Sequence, residues 1–224
     1  MAHSAFTNRL GDPRTPVYPL CDVARYMGFS PQRTRCWLDW IPGRSKAPGV
    51  GSVASFLGLV SMLVMKALRE YGVKPRRIRS AERYLVEHLG EYPLARSTIW
   101  TEGEHVLFNR RSPLSTGLPE KLEAADMGGQ QAFVPLLERY LRRIDYDATE
   151  HWARAWFPRE RVKLDPRIQF GEPCVAETRI RTSVLHSMHL AGDSVTTLVR
   201  SYGISVDDVA QALDWEKGLL ARAA

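Results

Sequence analysis

Tyr18-Pro-Leu-Cys-Asp-Val-Ala-Arg-Tyr-Met-Gly-Phe-Ser-Pro-Gln-Arg-Thr-Arg-Cys-Trp37 is the stretch that decides the fold of this chain. Val23, Ala24 and Met27 share one helical face, Gly28 permits a sharp turn, and Ser30-Pro31 supply an N-cap and a first helical residue. The pattern predicts a helix-turn-helix whose second helix buries Thr34, Trp37, Leu38 and Ile41. That burial leaves Gln32, Arg33 and Arg35 near the exposed start of the second helix, where a recognition helix meets base edges and phosphates. Arginine takes guanine bidentately and glutamine suits adenine. A trihelical protein-binding module with the same turn is the alternative.

Charge distribution favours the nucleic-acid reading. Residues 1–118 hold 17 Lys/Arg against 9 Asp/Glu, whereas residues 119–224 hold 14 against 16, so the halves carry +8 and −2. Phosphate neutralisation supplies most sequence-independent affinity for DNA, and such asymmetry suits a chain with one polyanionic and one protein partner.

The first segment, residues 1–51, ends in Pro42-Gly-Arg44-Ser-Lys46-Ala-Pro-Gly-Val-Gly51, read as a basic linker because its glycines and prolines cannot sustain a helix. Arg44 and Lys46 join the candidate DNA-binding residues. The second, 52–112, opens with a helix expected over Val53–Tyr71, capped by Ser52 and apolar around most of its girth. Such a helix is either central to its domain or part of a homodimer interface. Gly72 closes it, Pro75 starts the next helix, and Ile78, Ala81, Leu85 and Leu89 form that helix's buried stripe. Arg76, Arg77 and Arg79 lie on its other faces. Thr98–Thr101 and Val106–Phe108 flank Glu102-Gly103-Glu104-His105, a short β-hairpin in the position of a wing.

The third segment, 113–160, is a connector with a helix near Gln130–Ile144 and an expected two-stranded hairpin beyond it. The fourth, 161–224, carries short extended pieces at Val162–Leu164 and Pro173–Val175. Three helices follow, Thr182–Ala191, Val195–Tyr202 and one after Ser205, whose cap Asp208 supports. The fold class expected is mainly α: a winged helix-turn-helix half with a β-hairpin, a connector, and a trihelical, helix-turn-helix-like bundle with short β-strands.

Two resemblances sharpen this. Tyr18, Val23-Ala24, Gly28-Phe29 and Thr34-Arg35-Cys36-Trp37 resemble the pattern of the MerR-like winged helix, and Phe56-Leu57 with Gly72-Val73 and Ile78-Arg79 looks like its continuation. The resemblance implies that Arg76, Arg77 and Arg79 lie near bound DNA backbone; solvated arginines are the alternative. Asp165-Pro166-Arg-Ile168, Gly171-Glu-Pro173, Glu177-Thr178-Arg179-Ile180, Ala191-Gly192 and Val209-Ala-Gln-Ala-Leu213 closely resemble a small prokaryotic domain of VapB-type antitoxins. Glu177 stands where that pattern has glycine. What the resemblance implies is a type II toxin–antitoxin operon whose partner toxin is a PIN-like, VapC-type metal-dependent ribonuclease, with the antitoxin binding operator DNA as a repressor of its own transcription. A stand-alone MerR-like regulator with an effector- or protein-binding C-terminal domain is the alternative. Arg179 has two readings: a turn anchor, with Thr178 and Asp165, or a group that reaches an acidic toxin pocket.

His186 and His189 stand three apart on one helix without a third ligand at usual spacing, and no Gly-rich phosphate loop or nucleophile elbow occurs. The chain is therefore expected not to be an enzyme and to need no cofactor. Without an apolar run of membrane length or a signal-like N-terminus, a cytoplasmic location is expected. Cys21, Cys36 and Cys174 are read as reduced, packed side chains.

Overall fold

A computed structural model describes residues 11–41, 45–47, 51–70, 72–97 and 142–223. The first helix pair follows its sequence grammar closely. Helix α1, Leu20–Met27, ends on Gly28 in the left-handed conformation (φ 66°), whose N–H reaches back to the Ala24 and Arg25 carbonyls. Helix α2, Pro31–Leu38, starts from Ser30, whose hydroxyl accepts the Arg33 N–H. Val23, Ala24 and Met27 from α1, and Thr34, Trp37 and Leu38 from α2, are buried.

A three-stranded antiparallel sheet flanks the pair, in the order β1-β3-β2, from β1 (Pro16–Pro19), β2 (Ser45–Ala47) and β3 (Gly51–Ser55). Two expectations are corrected here. The basic linker contributes strand β2, with Lys46 opposite Ser52, and the helix does not begin at Ser52–Val53. Ser52 to Ser55 continue as strand, and helix α3 runs Phe56–Glu70. The true cap is Ser55, whose hydroxyl accepts the Gly58 N–H at 3.1 Å and donates to the Tyr92 hydroxyl at 3.2 Å. Val53 fits helical spacing by coincidence, because a strand leading into a helix buries it too. Strand β1 holds two prolines, tolerable because it is an edge strand.

Helix α3 is buried at every position from Phe56 to Met65, including Leu59, Met62 and Met65. This chain itself covers those side chains, so α3 is central to the protomer. Helix α4, Pro75–Leu89, begins on Pro75 as read and buries Ile78, Ala81 and Leu85. The expected wing at Thr98–Phe108 and the helix near Gln130–Ile144 fall outside the described residues, apart from the end of the latter. There Ile144 opens a strand.

The expected hairpin of the third segment is present within a four-stranded antiparallel sheet, β4 (Ile144–Tyr146), β5 (Ala153–Arg159), β6 (Val162–Leu164) and β7 (Cys174–Val175), in that order. Then come α5 (Thr182–Leu190), α6 (Val195–Tyr202) and α7 (Val206–Ala223). Ser205 and Asp208 cap α7 reciprocally, the Asp208 N–H donating to the serine hydroxyl at 3.1 Å and the hydroxyl donating to the carboxylate at 2.7 Å. Val175, Leu185, Leu198, Val209, Ala212 and Leu213 form a small core of their own.

The long helix α7 leaves that small core and joins the large one. Trp215 and Leu219 pack in the cluster that also holds Tyr18, Tyr26, Phe56 and Trp156. Trp215 stacks on Tyr26 at 6.0 Å and meets Trp156 edge-on at 6.1 Å. The Tyr18 hydroxyl donates to the Gly171 carbonyl at 3.1 Å. Gly171 has φ +82°, and a side chain there would run into the Tyr18 ring, so glycine is required on both counts. Of the three free cysteines only Cys174 is buried, which pushes its thiol up to about 11; Cys21 and Cys36 are exposed rather than packed.

Candidate nucleic-acid interface

The start of α2 is held rigidly by its cap and by aromatic packing beneath it. Phe29 meets Trp37 edge-on at 5.0 Å, and Trp37 stacks on Trp40 at 5.9 Å. Gln32, Arg33 and Arg35 are exposed around this end. The Arg33 guanidinium lies 5.4 Å from the Phe29 ring centre, so its stem and charge are guided by an aromatic face.

Helix α4 approaches the same region. Arg76 and Arg79 are exposed, and the Arg79 guanidinium lies 5.8 Å from the Trp40 ring centre, tying α4 to the end of α2. Arg77 is on α4 and Lys46 on β2, but their side chains, like the whole of Arg44, fall outside the described residues. A cleft of about 590 Å³ opens between α2, α3 and the start of α4, lined by Gly28, Phe29, Arg33, Trp37, Lys66, Arg69, Glu70 and Pro75. It brings Arg33 to the neighbourhood of Pro75.

Two cations of this cleft escaped sequence reasoning. Lys66 is half-buried; its ammonium donates to the Met27 carbonyl at 2.9 Å and lies 5.9 Å from the Phe29 ring centre. Burial lowers the Lys66 pKa, Glu70 at 3.9 Å raises it, and Arg222 lowers it further. Arg69 is exposed and donates to the Val73 carbonyl at 3.2 Å. The signal available for Lys66 was a cation at the first charged position of a helix apolar through its preceding ten residues save Ser61. Nothing in the sequence pointed to Arg222 of α7, which donates to the Arg25 and Tyr26 carbonyls at 3.4 and 3.2 Å.

The C-terminal candidates are built differently. Asp165 is 2% exposed and receives the Arg167 side chain through two hydrogen bonds, 2.8 and 2.6 Å, plus the Arg167 N–H at 3.0 Å. Burial pushes its carboxyl up, but hydrogen bonds and charge from Arg167, aided by Lys163, hold it below the ordinary value. Thr178 closes a turn, donating to the Val175 carbonyl at 2.9 Å and accepting the Ile180 N–H at 3.1 Å. Arg179 takes part through its backbone, its carbonyl accepting the Gln169 side-chain amide at 3.1 Å. Its guanidinium is exposed and makes no hydrogen bond or ion pair among the described residues. Gln169, Phe170 and Gly171 all have positive φ, and Phe170 is displayed at 65% exposure. Among the described residues no group of three or more His, Cys, Asp or Glu side chains could hold a metal ion, and no helix is long and apolar enough to cross a membrane.

With these elements in place, the chain can be set against known proteins: residues 162–215 match the family described as "Protein of unknown function (DUF433)". Over 222 aligned positions the chain is 27% identical to "Putative antitoxin VapB45" of Mycobacterium tuberculosis strain H37Rv, covering 89% of this chain and 93% of that one. The crystal structure of Rv2018 from Mycobacterium tuberculosis shares the fold, with a TM-score of 0.71 over 89% of this chain and 98% of that chain at 23% identity.

Proposed function

We propose that this chain is the antitoxin of a type II toxin–antitoxin module: a non-catalytic regulator that binds and neutralises a PIN-like ribonuclease toxin and represses its own operon. The observation that carries the antitoxin role is the likeness to VapB45, which spans nearly the whole of both chains rather than one domain. In this reading α1, the Gly28 turn and α2 form a DNA-binding helix-turn-helix of the winged kind, working as a homodimer on operator DNA. Gln32, Arg33 and Arg35 read bases or phosphates, and Arg76, Arg77, Arg79, Arg44 and Lys46 follow the backbone. Support comes from the capped, aromatic-backed start of α2 and from the cleft that groups Arg33 with α3 and α4. The free Arg179 guanidinium, on a turn fixed by Thr178, faces the toxin, while buried Asp165 is structural.

Co-expression with the product of the adjacent reading frame tests the antitoxin role. Relief of growth arrest and a copurifying complex are expected; neither occurring would refute it. For DNA, the double variant Arg33→Ala/Arg35→Ala weakens binding to the upstream promoter fragment by about 1–3 kcal/mol. Wild-type affinity in a folded double variant would place recognition elsewhere.

A further inference from the structure

The cleft beside the helix pair has a feature that base recognition by α2 does not use. The last turn of α1 ends in three successive carbonyls, Arg25, Tyr26 and Met27, and two cations from distant elements meet them: Lys66 from α3 and Arg222 from α7. The Arg222 stem lies against Gly28, where an added Cβ would sit 3.5 Å from its Cδ and 3.6 Å from its Nε. Gly28 lines the cleft together with Lys66, Arg33 and Arg69, and Arg222, packed against Gly28, lies close enough to Lys66 for its charge to bear on the ammonium. A helix's C-terminal carbonyls attract cations and fix where these two sit.

Those carbonyls do not exhaust the donors. A lysine has three N–H groups and an arginine five, and Lys66 uses one on Met27 while Arg222 works through a single terminal nitrogen. Carboxylates are scarce here: Arg33, Arg69 and Arg222 meet none among the described residues, and the Glu70 carboxylate stands 3.9 Å from the Lys66 ammonium. Three cations line the cleft with one carboxylate, a fourth, Arg222, stands beside them on the α1 carbonyls, and an anion relieves their mutual repulsion. Phe29 and Trp37 also line the cleft, and the Arg33 and Lys66 charges lie 5.4 and 5.9 Å from the Phe29 ring centre.

We propose that Lys66, Arg69 and Arg222 form a composite site for a backbone phosphodiester of duplex DNA beside the helix pair, so that the C-terminal helix α7 takes part in DNA binding. This rests on the DNA reading above and extends it to a part of the chain assigned to the toxin. A phosphate fits because it offers several acceptor oxygens to converging donors, and its neighbours along the strand fall within reach of Arg33. Positions on this site carry no sequence information; they set affinity and salt dependence.

The test is fluorescence anisotropy of the full chain with a labelled mixed-sequence duplex of about 30 base pairs, and with the upstream promoter fragment, across a salt series. Arg69→Gln and Arg222→Gln are each expected to flatten the plot of log affinity against log salt by about one, and to weaken both duplexes several-fold and equally. Arg200→Gln, an exposed position on α6, serves as the control and leaves the slope unchanged. Arg69 lies on the surface, so its variant tests the cleft even if Arg222→Gln loosens the fold, and a wild-type slope in a folded Arg222→Gln chain removes α7 from the site and overturns the proposal. Wild-type slopes in both variants, with the wild-type chain bound to DNA, overturn the composite site and leave the helix-turn-helix reading standing. A wild-type chain with no duplex affinity defeats the DNA reading and this site with it. Titration with inorganic phosphate alone separates the two sources of the anion: uptake lost in Arg222→Gln, with duplex slopes unchanged, makes the cleft a free-anion site and overturns the proposal.

Discussion

Glu177 adopts φ +59°, a left-handed conformation that costs an L residue with a side chain of its size about 1 kcal/mol, at the position where the domain's sequence pattern has glycine. The side chain is exposed, so nothing in the described structure repays that strain. Glu177→Gly is expected to raise the stability of the chain in urea by up to about 0.5 kcal/mol, the relief being partly offset by the added flexibility of the unfolded chain. A loss of stability would mean that the carboxylate does something the geometry does not reveal. Asp165 makes the opposite case, a residue whose environment suits it. Its folded pKa lies below the unfolded one, so its contribution is complete above a pH of about 4 and disappears as pH falls through the folded value. Urea titrations from pH 7 to 3 should show that loss in the wild-type chain. Asp165→Asn should lack it while starting about 2 kcal/mol less stable at pH 7, because charged hydrogen bonds from Arg167 are gone.

At the scale of elements, the Ser205–Asp208 box predicts that Ser205→Ala costs about 1 kcal/mol, read as faster amide exchange in the first turn of α7 with the same fold. That box, the Ser30 cap and the Gly28 turn were all legible in the sequence, because each is decided by residues within four positions of one another. The start of α3 was not. Ser52 and Ser55 both precede the same apolar run, and only the pairing of β3 with β1 and β2 makes Ser55 the cap. Strand β1 was hidden for the same reason: two prolines in four residues read as a break until an edge position is available. In the candidate interface, Arg33 and Arg35 could be found from the faces of α2, whereas Lys66 and Arg222 acquire a role only where α1, α3 and α7 meet. Phe170 carried no signal because its exposure follows from a turn of three positive-φ residues that no local rule anticipates.

For the molecule as a whole, the two halves share one large core through Trp215, with Tyr26 on one side and Trp156 on the other. The charge asymmetry of the sequence suggested two functional halves, and it says nothing about whether they fold separately. Packing of this kind predicts one cooperative unfolding transition, with near- and far-ultraviolet circular dichroism changing together. Trp215→Ala should lower stability by about 3–5 kcal/mol and uncouple the two signals, the α5–α7 core of Leu185, Leu198 and Val209 outlasting its attachment to α1. Coincident transitions in the variant would show that the remaining contacts suffice.

The clasp of Arg222 on the Arg25 and Tyr26 carbonyls spans 197 and 196 residues of sequence. On a ribosome adding about 5–20 residues each second, the first helix pair is therefore synthesised many seconds before its clasp exists. A nascent or prematurely terminated chain carries α1 and α2 without Arg222 or the Trp215 stack. Only chains translated through α7 hold the pair in its finished setting.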